Sequence, residues 1–184
     1  MPVRCSWAVG APAEYLEYHD NEWGVPVRDD RGLYERICLE GFQSGLSWWT
    51  ILQRRPAFRE VFADFDPKVV ANFSDEDVAR LRSDARIIRH EGKIRATIAN
   101  ANAALALGDG GLTELLWSYQ PRSHTRPARD GAVATQSVES AALARRLREL
   151  GFRFIGATTS YALMQACGLV NDHVEGCLAG NPPP

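Results

Sequence analysis

Apolar residues recur at helical spacing along most of the chain, and no run alternates as a half-buried strand would. Asp29 or Asp30 is placed to cap a helix that turns Leu33 and Ile37 inward. LSWWTILQRR reads as a helix ending near Pro56, followed by AFREVFADF and a short helix in DPKVVANF. Ser74 opens SDEDVARLR, whose acidic first turn suits the positive end of a helix. Residues 87–107 place Ile87, Ile94, Ile98 and Leu105 on one buried stripe. Gly108 to Gly111 form a turn before a short helix in TELLWSY. Residues 120–136 are polar, carry two prolines and read as a long surface loop. SVESAALARRLREL is an amphipathic helix stopped by Gly151, and Thr158 or Thr159 caps SYALMQAC, stopped by Gly168. The tail GNPPP is expected to be loose. This pattern predicts an all-α fold of two helical lobes with a cleft between them.

Composition supports a globular chain: 184 residues, 45% hydrophobic and 24% charged, are enough for one domain with a real core. No apolar run is long enough to span a bilayer, and the start has no secretory pattern, so no membrane partner and a cytoplasmic location are expected. The net charge of −2 does not advertise a nucleic-acid partner. Locally, however, Arg80, Arg82, Arg86, Arg89, Lys93 and Arg95 crowd one segment, offset by Asp84 and Glu91. Such a run is either a solvated helix face or a phosphate-binding surface. Lys68 and Lys93 are the only lysines.

Three constellations carry candidate chemistry. Cys5 and His19 near one end, with His173 and Cys177 near the other, supply two thiols and two imidazoles, a preferred tetrahedral zinc set. His173 and Cys177 have the spacing of one helix face. Spacing alone leaves ordinary cysteines and polar histidines equally open. Cys38 and Cys167 lie in apolar surroundings and read as core thiols. The second constellation joins Trp7, Tyr15, Tyr18, Trp23, Trp48 and Trp49 with Glu40, which sits inside an apolar helical stretch. A carboxylate there either reaches solvent at a helix end or lines an aromatic pocket suited to a flat cationic ligand. The third is LRSDARIIRHEGKIRATI, read as helix, tight connection and helix, whose second N-terminus offers N–H groups to a phosphate.

Taken in order, YHDNEWGVP (18–26), ICLEG (37–41), GLSW (45–48), IIRH (87–90) and ACGLVNDHVEGC (166–177) resemble the bacterial 3-methyladenine DNA glycosylase I family. The resemblance covers nearly the whole chain and is weakest over 108–136. It implies a helix-hairpin-helix glycosylase fold whose termini meet at a structural zinc ion held by Cys5, His19, His173 and Cys177. It implies lobe A from about 1–30 plus 137–184, and lobe B from about 31–136 with the hairpin near 78–100. It assigns Glu40 and Tyr18 to the methylated base, Trp48 to stacking on it, and Trp7, Tyr15 and Trp23 to the pocket walls. Leu46 matches a residue at the gap left by the displaced nucleotide, and Arg86, Arg89 and Lys93 fall on the expected DNA-facing hairpin. Arg86 departs from the pattern, since glycine often occupies that turn.

The activity so implied is hydrolysis of the N-glycosidic bond of 3-methyladenine in double-stranded alkylated DNA by a monomer, releasing the free base and leaving an abasic site. The family is expected to lack the catalytic Asp common in this fold, and Asp109 is no convincing substitute. Glu40 is expected to be ionised. With neither lysine near the aromatic cluster in sequence, no lyase step is expected. Two other classes stand beside this reading: a non-catalytic DNA- or nucleobase-binding module on the same fold, and a zinc hydrolase, against which four protein ligands speak.

Overall fold

A computed structural model describes residues 4–180; the tail beyond Gly180 lies outside the described residues. It has ten α-helices, joined by turns and short 3-10 segments, and no strand among the described residues. No helix among them is long and apolar enough to cross a membrane.

Helix α1 (Ala13–Asn21) follows an aromatic N-terminal turn. Helix α2 (Asp30–Gln43) runs through the centre, with Leu33, Tyr34, Ile37, Leu39 and Phe42 all buried. Asp29, not Asp30, is its N-cap, accepting a hydrogen bond from the Gly32 amide at 2.7 Å. Asp30 instead accepts from the amides of Gly110 and Thr113, pinning the start of a later helix against α2. The expected break near Pro56 is sharper than read: α3 (Trp48–Leu52) is one short helix, and α4 (Arg55–Val61) restarts with the proline in its first turn. Phe42, Phe58, Phe62 and Phe65 pack ring on ring at this corner.

After α5 (Pro67–Val70), α6 (Asp75–Ser83) and α7 (Glu91–Ala106) form the helical hairpin. Ser74 and Asp77 close a capping box at the start of α6. His90 caps α7, so Ile87 belongs to the connection, where it is buried, and not to the helix. The face that α7 buries is rotated from the expected stripe. Leu105 is 38% exposed, whereas Lys93, Thr97 and Asn100 are buried with Ile94, Ala101 and Ala104. Each polar member of that face has a partner: Lys93 Nζ donates to Phe42 O and Ser44 O, Thr97 Oγ1 to Lys93 O, and Asn100 bonds the Arg153 backbone. Reading only apolar positions misses a face held this way.

Helix α8 (Gly111–Trp117), the loop over 120–136 and α9 (Val138–Glu149) come next. Helix α10 (Ala157–Ala166) packs on α9 and α2. Its N-cap is Gly156; Thr158 and Thr159 lie inside the first turn instead of capping it. The segment from His173 to Cys177 is a turn and not the helix its spacing suggested. One continuous core joins α2, α4, α6, α7, α9 and α10. A separate small cluster at the meeting chain ends has, among the described residues, Cys5, Val174 and Cys177 as its buried members, with Trp7, Trp23 and Ala179 packed against them.

The ends are stitched by Gly24 N to Gln165 O and Val27 N to Cys167 O, both at 3.1 Å. Gly168 makes this approach possible. Its φ is +75°, and a Cβ there would lie 2.7 Å from Pro26 N and 2.8 Å from Gly24 O. Gly168→Ala is therefore expected to cost more than about 2 kcal/mol, while Gly10→Ala, with the same handedness and open space around it, costs about 1 kcal/mol. Urea unfolding of both variants checks this; equal losses would show that the close approach carries no energy of its own.

Candidate active site and metal cluster

Helices α1, α2, α3 and α10 enclose a cavity of about 230 Å³ lined by Trp7, Tyr15, Tyr18, Trp23, Glu40, Gln43, Trp48, Ala162 and Gln165. A second cavity of about 190 Å³ shares Glu40, Gln43 and Ala162 and runs out past Leu46, Thr158 and Thr159. The structure thus brings Glu40, Tyr18, Trp48, Trp7, Tyr15 and Trp23 together, as the sequence suggested. The rings build the walls by mutual contact. Trp7 meets Tyr15 and Trp23 at 5.2 Å between centroids, and Tyr18 meets Trp48 at 5.2 Å. Trp48 Nε1 is buried without a hydrogen-bond partner.

Glu40 is 5% exposed, one turn along α2 from Arg36. Burial pushes its carboxyl up from the ordinary 4.5 to about 8, and the Arg36 guanidinium only partly opposes this. Burial therefore favours the protonated carboxyl, and the ionised form expected from the sequence needs a partner charge in the cavity. A cation entering the cavity supplies the charge that reverses this. Burial, with Glu40 adding to it, raises Tyr18 well above 10, so its hydroxyl stays a donor. Arg36 and Arg55 in turn share Glu22, at 3.4 Å and 2.5 Å, in a half-buried network behind the pocket.

The four cysteine and histidine residues singled out at the chain ends also converge. Cys5, His19, His173 and Cys177 are all buried, and their ligand atoms lie within 4.8 Å of one another. Cys177 Sγ is 3.7 Å from His19 Nε2 and 3.5 Å from His173 Nδ1, and Cys5 Sγ is 3.8 Å from His173 Nδ1. The far ring nitrogens are held: His19 Nδ1 by Asp20 at 2.7 Å, and His173 Nε2 by Trp23 O at 2.9 Å. Asp20 is itself clamped by Arg4. Both histidines therefore present one free nitrogen inward, the arrangement that an outer shell imposes on metal ligands. Arg126, from the 120–136 loop, donates to the carbonyls of His173, Val174 and Cys177 and holds the turn. This cluster could bind a metal ion. It also backs the pocket, since Trp7 packs on His19 at 4.8 Å and Trp23 on His173 at 4.7 Å. Cys38 and Cys167 are core thiols away from it.

The basic segment is less free than its composition suggests. Arg80, Arg82, Arg86 and Arg95 are all in ion pairs with nearby acids, Arg86 with both Asp84 and Glu60. Arg86 is not among the residues of positive φ, so the turn accepts a side chain there. Arg89 and Leu46 are exposed. Lys93 is a correction: it is 7% exposed, and its ammonium is spent on the last carbonyls of α2, so it is not placed to meet a phosphate. Gln43, Ala162 and Gln165 line the cavity but went unnoticed in the sequence. Gln43 lies one turn beyond Glu40, a spacing that could have revealed it.

The Methyladenine glycosylase family matches residues 7–180. The chain is 48% identical over 187 residues to "DNA-3-methyladenine glycosylase 1" of Escherichia coli (strain K12), covering 98% of this chain and 99% of that one. A crystal structure of a 3-methyladenine DNA glycosylase I superposes with a TM-score of 0.91 at 47% identity, covering 96% of this chain and 98% of that one. A tyrosine-to-phenylalanine variant of a 3-methyladenine DNA glycosylase I in complex with 3-methyladenine superposes with a TM-score of 0.91 at 30% identity, covering 98% and 99%.

The Glu40 carboxyl links the pocket to stability. Between its ordinary value of 4.5 and about 8, the folded chain keeps a proton that the unfolded chain releases, so stability falls as pH rises through that window. Glu40→Gln removes this dependence. Its stability relative to the parent is expected to climb by up to about 1.4 kcal/mol per pH unit from pH 5 and to level off above pH 8. Parallel stability–pH curves for the two proteins would contradict a protonated, buried Glu40.

Proposed function

The chain belongs to the methyladenine glycosylase family, and on that premise we propose how its own residues remove 3-methyladenine from DNA. The reaction is hydrolysis of the N-glycosidic bond in base-excision repair, releasing the free base and leaving an abasic site. The observation that carries this reading is a single buried carboxyl, Glu40, in a base-sized aromatic cavity.

Methylation at N3 leaves the base cationic in DNA and weakens its bond to the sugar. Little acid catalysis is then needed. The nucleotide is displaced from the duplex, and the second cavity, past Leu46, is the route in. Trp48 stacks on the base, and Trp7, Tyr15 and Trp23 exclude water around it. Glu40 loses its proton to solvent as the cationic ring arrives, accepts a hydrogen bond from it and favours its positive charge; Tyr18 hydrogen-bonds beside it. Water attacks the sugar carbon as the base leaves with the glycosidic electron pair, which neutralises its charge, and the water's proton passes to solvent. The enzyme is monofunctional: Lys93 is engaged by Phe42 O and Ser44 O, and Lys68 lies on α5, outside the pocket lining. Arg89 and the start of α7 meet the DNA backbone, and the chain works in the cytoplasm as a monomer of two lobes, 31–136 against 1–30 with 137–184.

The metal we assign to Cys5, His19, His173 and Cys177 is one structural Zn2+. Tetrahedral bonds of about 2.3 Å to sulfur and 2.0–2.1 Å to nitrogen place S and N ligands about 3.5 Å apart. Three observed S–N separations, 3.5, 3.7 and 3.8 Å, are close to that spacing, and all four ligand atoms lie within 4.8 Å of one another. Four protein ligands leave no position for a reacting water, so the ion ties the chain ends together.

Two measurements test this reading. Wild-type protein incubated with methylated DNA should release free 3-methyladenine, and Glu40→Gln should be roughly ten- to a hundred-fold slower, the worth of a charge-assisted hydrogen bond. No release by the wild type would overturn the assignment. Elemental analysis should find one zinc per chain, and stripping it with a chelator should lower the melting temperature; a metal-free protein of unchanged stability would refute the structural role.

A further inference from the structure

The connection between α9 and α10 holds a strained residue that the reaction above does not use. Phe154 has a φ of +54°, in the left-handed region that bulky side chains rarely enter, and it is 42% exposed. The conformation is imposed from below. Buried Asn100 of α7 accepts from Arg153 N at 2.7 Å, and its amide donates to Arg153 O at 3.4 Å. Phe152 and Ile155 are buried, so the core fixes the segment on both sides and turns Arg153 and Phe154 outward. A ring left this exposed offsets the backbone strain only in part, and strain held in place by a buried clamp points to use at the surface.

Phe154 also lies where the proposed DNA-facing elements meet. A Cβ at Gly41, the residue after Glu40, would lie 3.5 Å from Phe154 Cβ, and one at Gly92, in the first turn of α7, 3.5 Å from Phe154 Cζ. The ring stands edge-on to His90, the N-cap of α7, at 5.9 Å. A few residues further on, Thr158 and Thr159 line the second cavity with Leu46. The exposed ring thus spans from the end of α2 to the start of the hairpin helix.

We infer that Phe154 is a second apolar wedge, stacking on a base beside the gap that the displaced nucleotide leaves, while Arg153 meets the adjoining phosphate. The inference rests on the glycosylase reading above. Displacing a nucleotide strips its neighbours of a stacking partner, and a flat ring covers such a face whatever the base. Arg153 is exposed and, unlike Arg80, Arg82, Arg86 and Arg95, forms no ion pair among the described residues. It is therefore free to neutralise a phosphate.

The test uses the full-length, metal-loaded protein and two probes: a duplex carrying a tetrahydrofuran abasic-site analogue, and free 3-methyladenine. Phe154→Gly and Phe154→Asn remove the ring and both suit a positive φ, so the fold is kept, which a melting curve checks. Their affinity for the duplex should fall roughly ten-fold, the worth of one base–aromatic stack. Their affinity for the free base, read by tryptophan fluorescence, should match the parent's. Phe154→Tyr keeps the ring and should bind the duplex as the parent does. Arg153→Gln should lower the slope of log affinity against log salt by about one. Unchanged duplex affinity in the ring-less variants, or an equal loss for duplex and free base, overturns the wedge. An unchanged salt slope overturns the phosphate contact. Either result leaves the glycosylase reading standing; that reading fails only if the wild type releases no 3-methyladenine.

Discussion

The two ends of this chain meet at a buried cluster of four ligand-type side chains, beside the backbone hydrogen bonds that stitch Gly24 and Val27 to Gln165 and Cys167. The cluster around Cys5, Val174 and Cys177 buries too few apolar groups to order two chain ends, each of which forfeits about 1–2 kcal/mol of backbone entropy per residue. What stands in for a core is the convergence of Cys5, His19, His173 and Cys177, supported by Asp20, Trp23 O and Arg126. The pocket depends on that convergence. Trp7 and Trp23 rest edge-on against the two histidines, and helix α1 carries Tyr15 and Tyr18 on the same short segment as His19.

Against this wall stands α2, whose packing is set by the main core and whose last turns carry Glu40 into the cavity. A buried carboxyl at this depth costs stability, and nothing but Arg36 offsets the loss of water around its charged form. The cost makes sense if the site is complementary to a cation and not to a neutral ligand. A carboxyl that ionises only when a positive ring is present discriminates by charge before any hydrogen bond is counted. The Arg36–Glu22–Arg55 network behind it keeps the field fixed without closing the pocket.

Much of the fold was legible because its signals are local. Asp29 capping α2, the Ser74 box on α6, and the glycine stops at 151 and 168 each need only a few neighbouring residues to be read. What the sequence hid is long-range. Lys93 looked like a free cation in a basic run, yet its target carbonyls lie some fifty positions earlier in the chain. The spacing of His173 and Cys177 suggested a helix, yet a turn gripped by Arg126 brings them together. Thr158 and Thr159 looked like caps, but Gly156 starts the helix and leaves both to line the cleft. Periodicity likewise favoured Leu105 over Asn100, because it scores a polar residue without knowing that the Arg153 backbone awaits it. The aromatic residues and Glu40 were recognisable as a set; Gln43, Ala162 and Gln165, brought to the same cavity by α2 and α10, were not.

The proposed function divides the labour: Glu40 and its aromatic neighbours would act on the base, and a metal at Cys5, His19, His173 and Cys177 would hold the pocket wall. Single-turnover release of 3-methyladenine with zinc replaced by cobalt(II) tests it most directly. The account predicts the intense visible absorption of a four-coordinate thiolate–imidazole cobalt site together with an unchanged release rate. A rate that tracks the identity of the metal would contradict it.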